Sequence, residues 1–233
     1  MNTKRTVYFA AALFSAREAI FNSHLTELFE KDGHRVFLPQ RDGFEFASLH
    51  TCLTKQMAGQ PPSEISTALQ TIIYILDIGW FVQNCDVVVA NLDEHIDEGV
   101  VVEQVFARMM GKRVIGYRTD VRSPYGSLED PLRGMHFFPA FQSDYFIWSH
   151  IPAKTPSDRI AQISELYSRL KPLVEATPLG CVECLVSRKV TERATALFKD
   201  IDDIHSTDGL GSIVSRYLAN KEWFLELAPN VLY

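Results

Sequence analysis

The sequence predicts an α/β protein with a parallel sheet, on three observations. The first forty residues read as strand, helix, strand. The stretch Asp86–Gly116 repeats that order with a polar loop inserted. The short runs 86–90 and 112–117 are rich in β-branched residues, the composition of strands buried on both faces. In such a sheet ligands bind beyond the carboxyl ends of the strands. That edge is therefore where chemistry is sought.

Taken in order, Thr6–Ala12 is the first strand. Ser15 caps a helix, with Glu18 completing a capping box, and Gly33 stops it after Lys31. Arg35–Leu38 is the second strand, ended by Pro39, and a right-handed crossover makes the pair parallel. Residues 44–60 lack a clear period and read as a helix or a lid. Ser63 restarts a helix reaching Asn84, with Asp77 among isoleucines, a leucine and Trp80. An acid in such surroundings is costly to ionise unless paired, or else lies on an exposed helix face. Val100–Met110 is helical, ends at Gly111 and leads into the strand of 112–117. Phe137-Phe138 and Tyr145–Trp148 are short strands or packed aromatic loops. Ser157 or Asp158 caps a helix to Glu175. Beyond Thr177, helices over 182–198 and 211–227 form a helical extension packed on the domain of residues 1–176.

The composition excludes several classes. The chain has 233 residues, 46% hydrophobic, with net charge -6 and no dense basic cluster, which argues against a nucleic-acid polymer as partner. No apolar run is expected to reach the roughly 18 residues of a membrane span. The start, Met1-Asn-Thr-Lys-Arg5, has no apolar core followed by a cleavage site. Four cysteines make no disulfide scaffold in a chain of this size. A cytoplasmic protein with reduced thiols is expected. Cys181-x-x-Cys184 supplies two of the four ligands of a structural zinc site, with His205 the only nearby histidine, so no metal is predicted.

The loop before the third helix carries Asp93, Glu94, Asp97 and Glu98, and Glu103 lies in the early turns of that helix. Two carboxylates beside a polar substrate can divide labour, one attacking or stabilising a cation while the other donates a proton. Glycosyl transfer needs such a pair. The spacing has a plainer reading too, acids favoured by the helix dipole. Gln40 and Asp42, flanking Arg41 at the end of the second strand, are base-side contacts or simply a polar turn.

Several separated strings resemble the nucleoside 2-deoxyribosyltransferase family, in the family's order. They are Thr6–Phe14 with Tyr8, Asp97-x-Gly99-x-x-x-Glu103, Ala107, and Gly111-Lys112, with Asp77 twenty residues before Asp97. The resemblance spans about residues 6–150. It implies a doubly wound, flavodoxin-like sheet with helices on both faces, and transfer of 2-deoxyribose between bases. Glu103 is then the nucleophile, Tyr8 orients it, and Asp77 contacts the base and is the candidate proton donor. Asp97, beside Gly99, is the sugar-end contact, and Glu94 and Glu98 are solvated loop residues. The partners implied are a nucleoside and a free base, with no cofactor, in a homodimer or higher homo-oligomer.

An aspartate at 97 favours a free 5'-hydroxyl and repels a 5'-phosphate. The related nucleoside 5'-monophosphate N-glycosidases carry serine there. The chain departs from the family pattern at Val100. It departs again at Arg133-Gly134-Met135, where the family has an asparagine reaching the partner subunit's site. Arg133 would serve a phosphate or pair with an acid. The rival readings are a nucleoside or nucleotide N-glycosidase on the same scaffold and a non-catalytic nucleotide-sensing domain.

Overall fold

The computed structural model describes residues 4–152, 154–179 and 188–225. The Cys181/Cys184 pair and the C-terminal Tyr233 lie outside them. In chain order the elements are β1 (Thr6–Ala10), α1 (Ala16–Lys31), β2 (Arg35–Phe37), α2 (Pro39–Asp42), α3 (Phe46–Gln56) and α4 (Pro62–Tyr74). Helix α4 continues as a π-helical segment, Ile75–Val82. Then come β3 (Val87–Asn91), α5 (Glu98–Met109), β4 (Arg113–Arg118), α6 (Phe137–Phe141), β5 (Tyr145–Trp148) and α7 (Pro156–Ala176). The last described elements are α8 (Arg188–Phe198), α9 (Thr207–Ala219) and α10 (Lys221–Leu225).

The chain divides into two compact units, Met1–Arg41 with Asn84–Cys184, and Asp42–Gln83 with Leu185–Tyr233. The first holds a five-stranded parallel sheet in the order β2-β1-β3-β4-β5. This is the flavodoxin-like order, whose strand sequence reverses between β1 and β3 and so opens a crevice at their carboxyl ends. Strand side chains alternate between faces. Val7, Phe9, Val87, Val89, Ile115 and Tyr117 meet Leu25 and Phe29 of α1 and Ile163, Leu166, Leu170 and Val174 of α7. Tyr8 points to the opposite face, where α5 packs on β1, β3 and β4. Helices thus cover both faces, as expected of a doubly wound sheet.

Local signals explain most boundaries. The Ser15 hydroxyl accepts from Glu18 N at 3.3 Å, and the Glu18 carboxylate accepts from Ser15 N at 2.8 Å. After α1 the chain turns at Gly33, whose φ of 83° suits a residue without Cβ. Helix α7 begins two or three residues earlier than expected, because Thr155 and Asp158 form the capping box and Pro156 takes the first helical position. Residues 44–60 resolve into α3, whose amino end is capped by the Glu45 carboxylate. Ser63 is not a cap. Pro61 holds that position and Pro62 opens the helix. Phe137-Phe138 start a short helix, while Tyr145–Trp148 is the edge strand.

In the second unit α3 packs on α4 and α9, and α8 packs on the π-helical segment. Arg193 of α8 is buried, donates through Nε to the Trp223 carbonyl at 2.9 Å, and lies 4.6 Å from the Trp223 ring centroid. Lys221 is paired with Glu64. The helices of 42–83 therefore group with those after 185. Contrary to the expectation from apolar runs, Pro62–Val82 is one helix long and apolar enough to cross a membrane by length and composition. Most of it is buried within the protein, as a core helix would be.

Candidate active site

Helix α5 builds the centre of the site. Its amino cap is Asp97, whose Oδ1 accepts from Val100 N at 3.1 Å. The other oxygen of Asp97 has no hydrogen-bond partner among the described residues. Gly99 permits this arrangement, because a Cβ there would stand 2.8 Å from Asp97 Oδ1. Glu103 follows in the second turn, and Tyr8 Oη, reaching from β1, donates to Glu103 Oε1 at 2.7 Å. Tyr8 is wholly buried, so its ring is held by strand packing while its hydroxyl holds the carboxylate. Tyr8, Asp97, Gly99 and Glu103 are thus assembled on one unit by β1 and α5.

A cleft of about 480 Å³ opens beside Asp97 at the carboxyl edge of the sheet, with Asn91, Asp93, Glu94, Arg17 and Arg122 among its walls. Its acids are organised from the end of β4. Asp93 accepts from Thr119 N, from the Thr119 hydroxyl at 2.7 Å and from Asp120 N at 3.0 Å. Burial pushes the Asp93 carboxyl above the ordinary range, against the hydrogen bonds from Thr119. Asp120 in turn accepts from Glu94 N at 2.7 Å and from Arg118 Nε at 2.7 Å. Arg118 is fully buried and also donates to the Arg133 carbonyl at 2.9 Å. This network locks the β3–α5 loop against the loop after β4.

Glu94 is not the solvated residue expected. It is 8% exposed, and its Oε1 has no hydrogen-bond partner among the described residues. A buried acceptor lining a cleft is suited to a hydroxyl or amide from a ligand. No sequence signal separates it from Glu98, which is exposed. Arg118 and Asp120 were likewise invisible in the sequence.

The remaining candidates are placed as follows. Gln40 holds α1, donating to the Ala19 carbonyl at 2.8 Å and to Ser23 Oγ at 3.0 Å, and accepting from Asn22 Nδ2 at 3.1 Å. Arg133 has φ of 56°, donates to the Leu128 carbonyl at 2.7 Å, and stacks its guanidinium 4.7 Å from the Trp148 ring centroid. Asp42 and Asp77 belong to the second unit. Asp77 sits half-buried in the π-helical segment, and burial pushes its carboxyl up to about 7.

A flavodoxin-like sheet thus carries a tyrosine-held glutamate, and beside it an acidic loop that caps α5, at the carboxyl edge of β1 and β3. The family model for nucleoside 2-deoxyribosyltransferases matches residues 7–139. The chain belongs to that family. Among solved structures, it is similar to a CMP N-glycosidase from Clostridium botulinum, at 17% identity and a TM-score of 0.35, over 69% of this chain and 98% of that one. No curated protein matches the sequence.

Proposed function

We propose that the protein transfers 2-deoxyribose between nucleobases through a covalent sugar–glutamate intermediate on Glu103. The observation that carries this reading is the 2.7 Å hydrogen bond from Tyr8 to Glu103. A nucleophilic carboxylate must be held in one rotamer, and a buried phenol from a rigid strand does this without neutralising it. A Glu103 oxygen attacks C1' of the nucleoside, the bond from C1' to the base nitrogen breaks, and its electron pair stays on the base. The departing base takes up a proton as that bond breaks. The incoming base attacks C1' from the opposite face, releases Glu103 and gives up a proton. Two inversions retain the sugar's configuration.

Asp97 accepts from the sugar 5'-hydroxyl through the oxygen that the helix cap leaves unused, and Glu94 is a second acceptor for the same substrate. Neither favours a 5'-phosphate. The test incubates the protein with a 2-deoxynucleoside and a different free base. New nucleoside is the expected product. Free 2-deoxyribose alone would overturn transfer in favour of hydrolysis by the same intermediate. Full turnover by Glu103→Ala would overturn the nucleophile. A 2-fluoro-2-deoxynucleoside is expected to leave an adduct on Glu103 that mass spectrometry locates.

A further inference from the structure

A second cleft of about 490 Å³ opens at the same edge of the sheet between α1 and α7, adjoining the first and sharing Arg17, Phe21, Asp120 and Arg122 with it. Its charged and ionisable walls are Arg17, Arg122, Arg159, His150 and Asp120. Asp120 is the one carboxylate among its described lining residues, and its charge is already matched by buried Arg118, whose Nη2 lies 2.6 Å from Asp120 Oδ1. The Arg122 guanidinium reaches Asp120 only at 3.8 Å. The side chains of Arg17 and Arg159 make no hydrogen bond or ion pair among the described residues. A chain of net charge -6 therefore gathers three guanidinium groups around one concavity without a matching set of acids.

The rest of the lining is apolar, with Ile20, Phe21, Ile151 and Ile163 along the wall between α1 and α7. Guanidinium groups are suited to bidentate contacts with phosphate oxygens, and an apolar wall beside them suits a flat or hydrophobic moiety. The adjoining cleft at Asp97 also has Arg17 and Arg122 in its walls but sets Asp93, Glu94 and Asp97 against them, whereas Arg159, His150 and Ile151 line only the α1–α7 cleft. A neutral, hydroxyl-bearing sugar suits that end, and a polyanion suits this one.

We propose that the α1–α7 cleft binds a nucleoside polyphosphate as a ligand separate from the substrate, with its phosphates on Arg17, Arg122 and Arg159 and its base along the apolar wall. The site does not depend on the chemistry of Glu103. Binding is read directly by titration calorimetry on the full chain, with ADP and with pyrophosphate as probes. ADP is expected to bind, and more tightly than pyrophosphate because only ADP uses the apolar wall. Affinity is expected to fall as salt rises from roughly 50 to 200 mM, as screening requires. Arg159 is exposed, so Arg159→Glu folds, and it should weaken ADP by about tenfold or more, equivalent to about 1.4 kcal/mol. Arg159→Lys should fall between the two, having lost the bidentate geometry but not the charge. Glu103→Gln should bind ADP as the native chain does. Equal ADP affinity in Arg159→Glu and native protein would overturn the proposal. So would a loss in Glu103→Gln as large as in Arg159→Glu, which would put ADP in the substrate site.

Discussion

The Tyr8 phenol donates a hydrogen bond to Glu103, and the ring that carries it is fully buried in β1. Phenylalanine keeps the packing and removes only the donor. A hydrogen bond to a charged group contributes about 1.5–3 kcal/mol, so Tyr8→Phe is expected to lower kcat about 10- to 100-fold with KM little changed. A change confined to KM would show that Tyr8 serves binding instead. Asp77 gives a pH signature. Its carboxyl titrates near 7 in the folded protein and near 3.8 as an unperturbed acid. That carboxyl is therefore protonated below about 7 and ionised above it. Stability follows the proton. Between 3.8 and about 7 the folded state holds a proton that the unfolded chain has released, so stability falls as pH rises across that window. Asp77→Asn is expected to abolish that dependence, in urea unfolding at pH 5 and pH 8.

Helix α5 connects folding to chemistry, because the residue that caps it also faces the cleft. Asp97→Ala removes the cap and is expected to cost about 0.5–2 kcal/mol in denaturant unfolding, with a rise in KM for nucleoside. Asp97→Asn should keep most of the stability while changing KM, which separates the two effects. On the other face, α7 presents Ile163, Leu166, Leu170 and Val174 to the sheet. Leu170→Ala leaves a cavity in that layer and is expected to destabilise by about 2–5 kcal/mol without altering the relative rates on different bases. These elements were legible in advance. The capping box at Ser15, the stop at Gly33 and the β-branched run at 87–89 are local signals, each decided by residues close in sequence. The α7 start at Pro156 was misplaced because Thr155, Ser157 and Asp158, all within four residues, can each cap, and only the formed hydrogen bonds choose among them.

At the scale of the molecule, the chain passes from one unit to the other after Arg41, Gln83 and Cys184. No change in composition marks the first two crossings, and this is why residues 42–83 read as part of the sheet domain. Their partners, α8 and α9, lie more than a hundred residues away in sequence, a distance at which periodicity carries no information. The burial of Glu94 was illegible for the same reason, since it depends on Asp120 closing over the loop from β4. The pair Tyr8 and Glu103 was legible only through the family's pattern of spaced residues. Grouping of α3 and α4 with α8 and α9 makes the C-terminal helices integral to their unit. Truncation after Cys184 is therefore expected to remove more helicity, by circular dichroism, than the deleted residues account for, and to leave the apolar Pro62–Val82 helix prone to aggregation. A truncated chain that lost only its own share of helix would show the extension to be dispensable.

The double duty of Asp97 has a consequence for how specificity can change over time. Few side chains cap a helix well, and they are Asp, Asn, Ser and Thr, with Gly tolerated. Only replacements drawn from that short set keep α5 intact, so drift at this position is confined to a carboxylate, an amide or a hydroxyl. Under the proposed function, each presents a different hydrogen-bonding partner to the sugar end of a substrate. Relatives that diverge here would change substrates in a few discrete steps rather than by gradation, and the helix cap sets which steps are open.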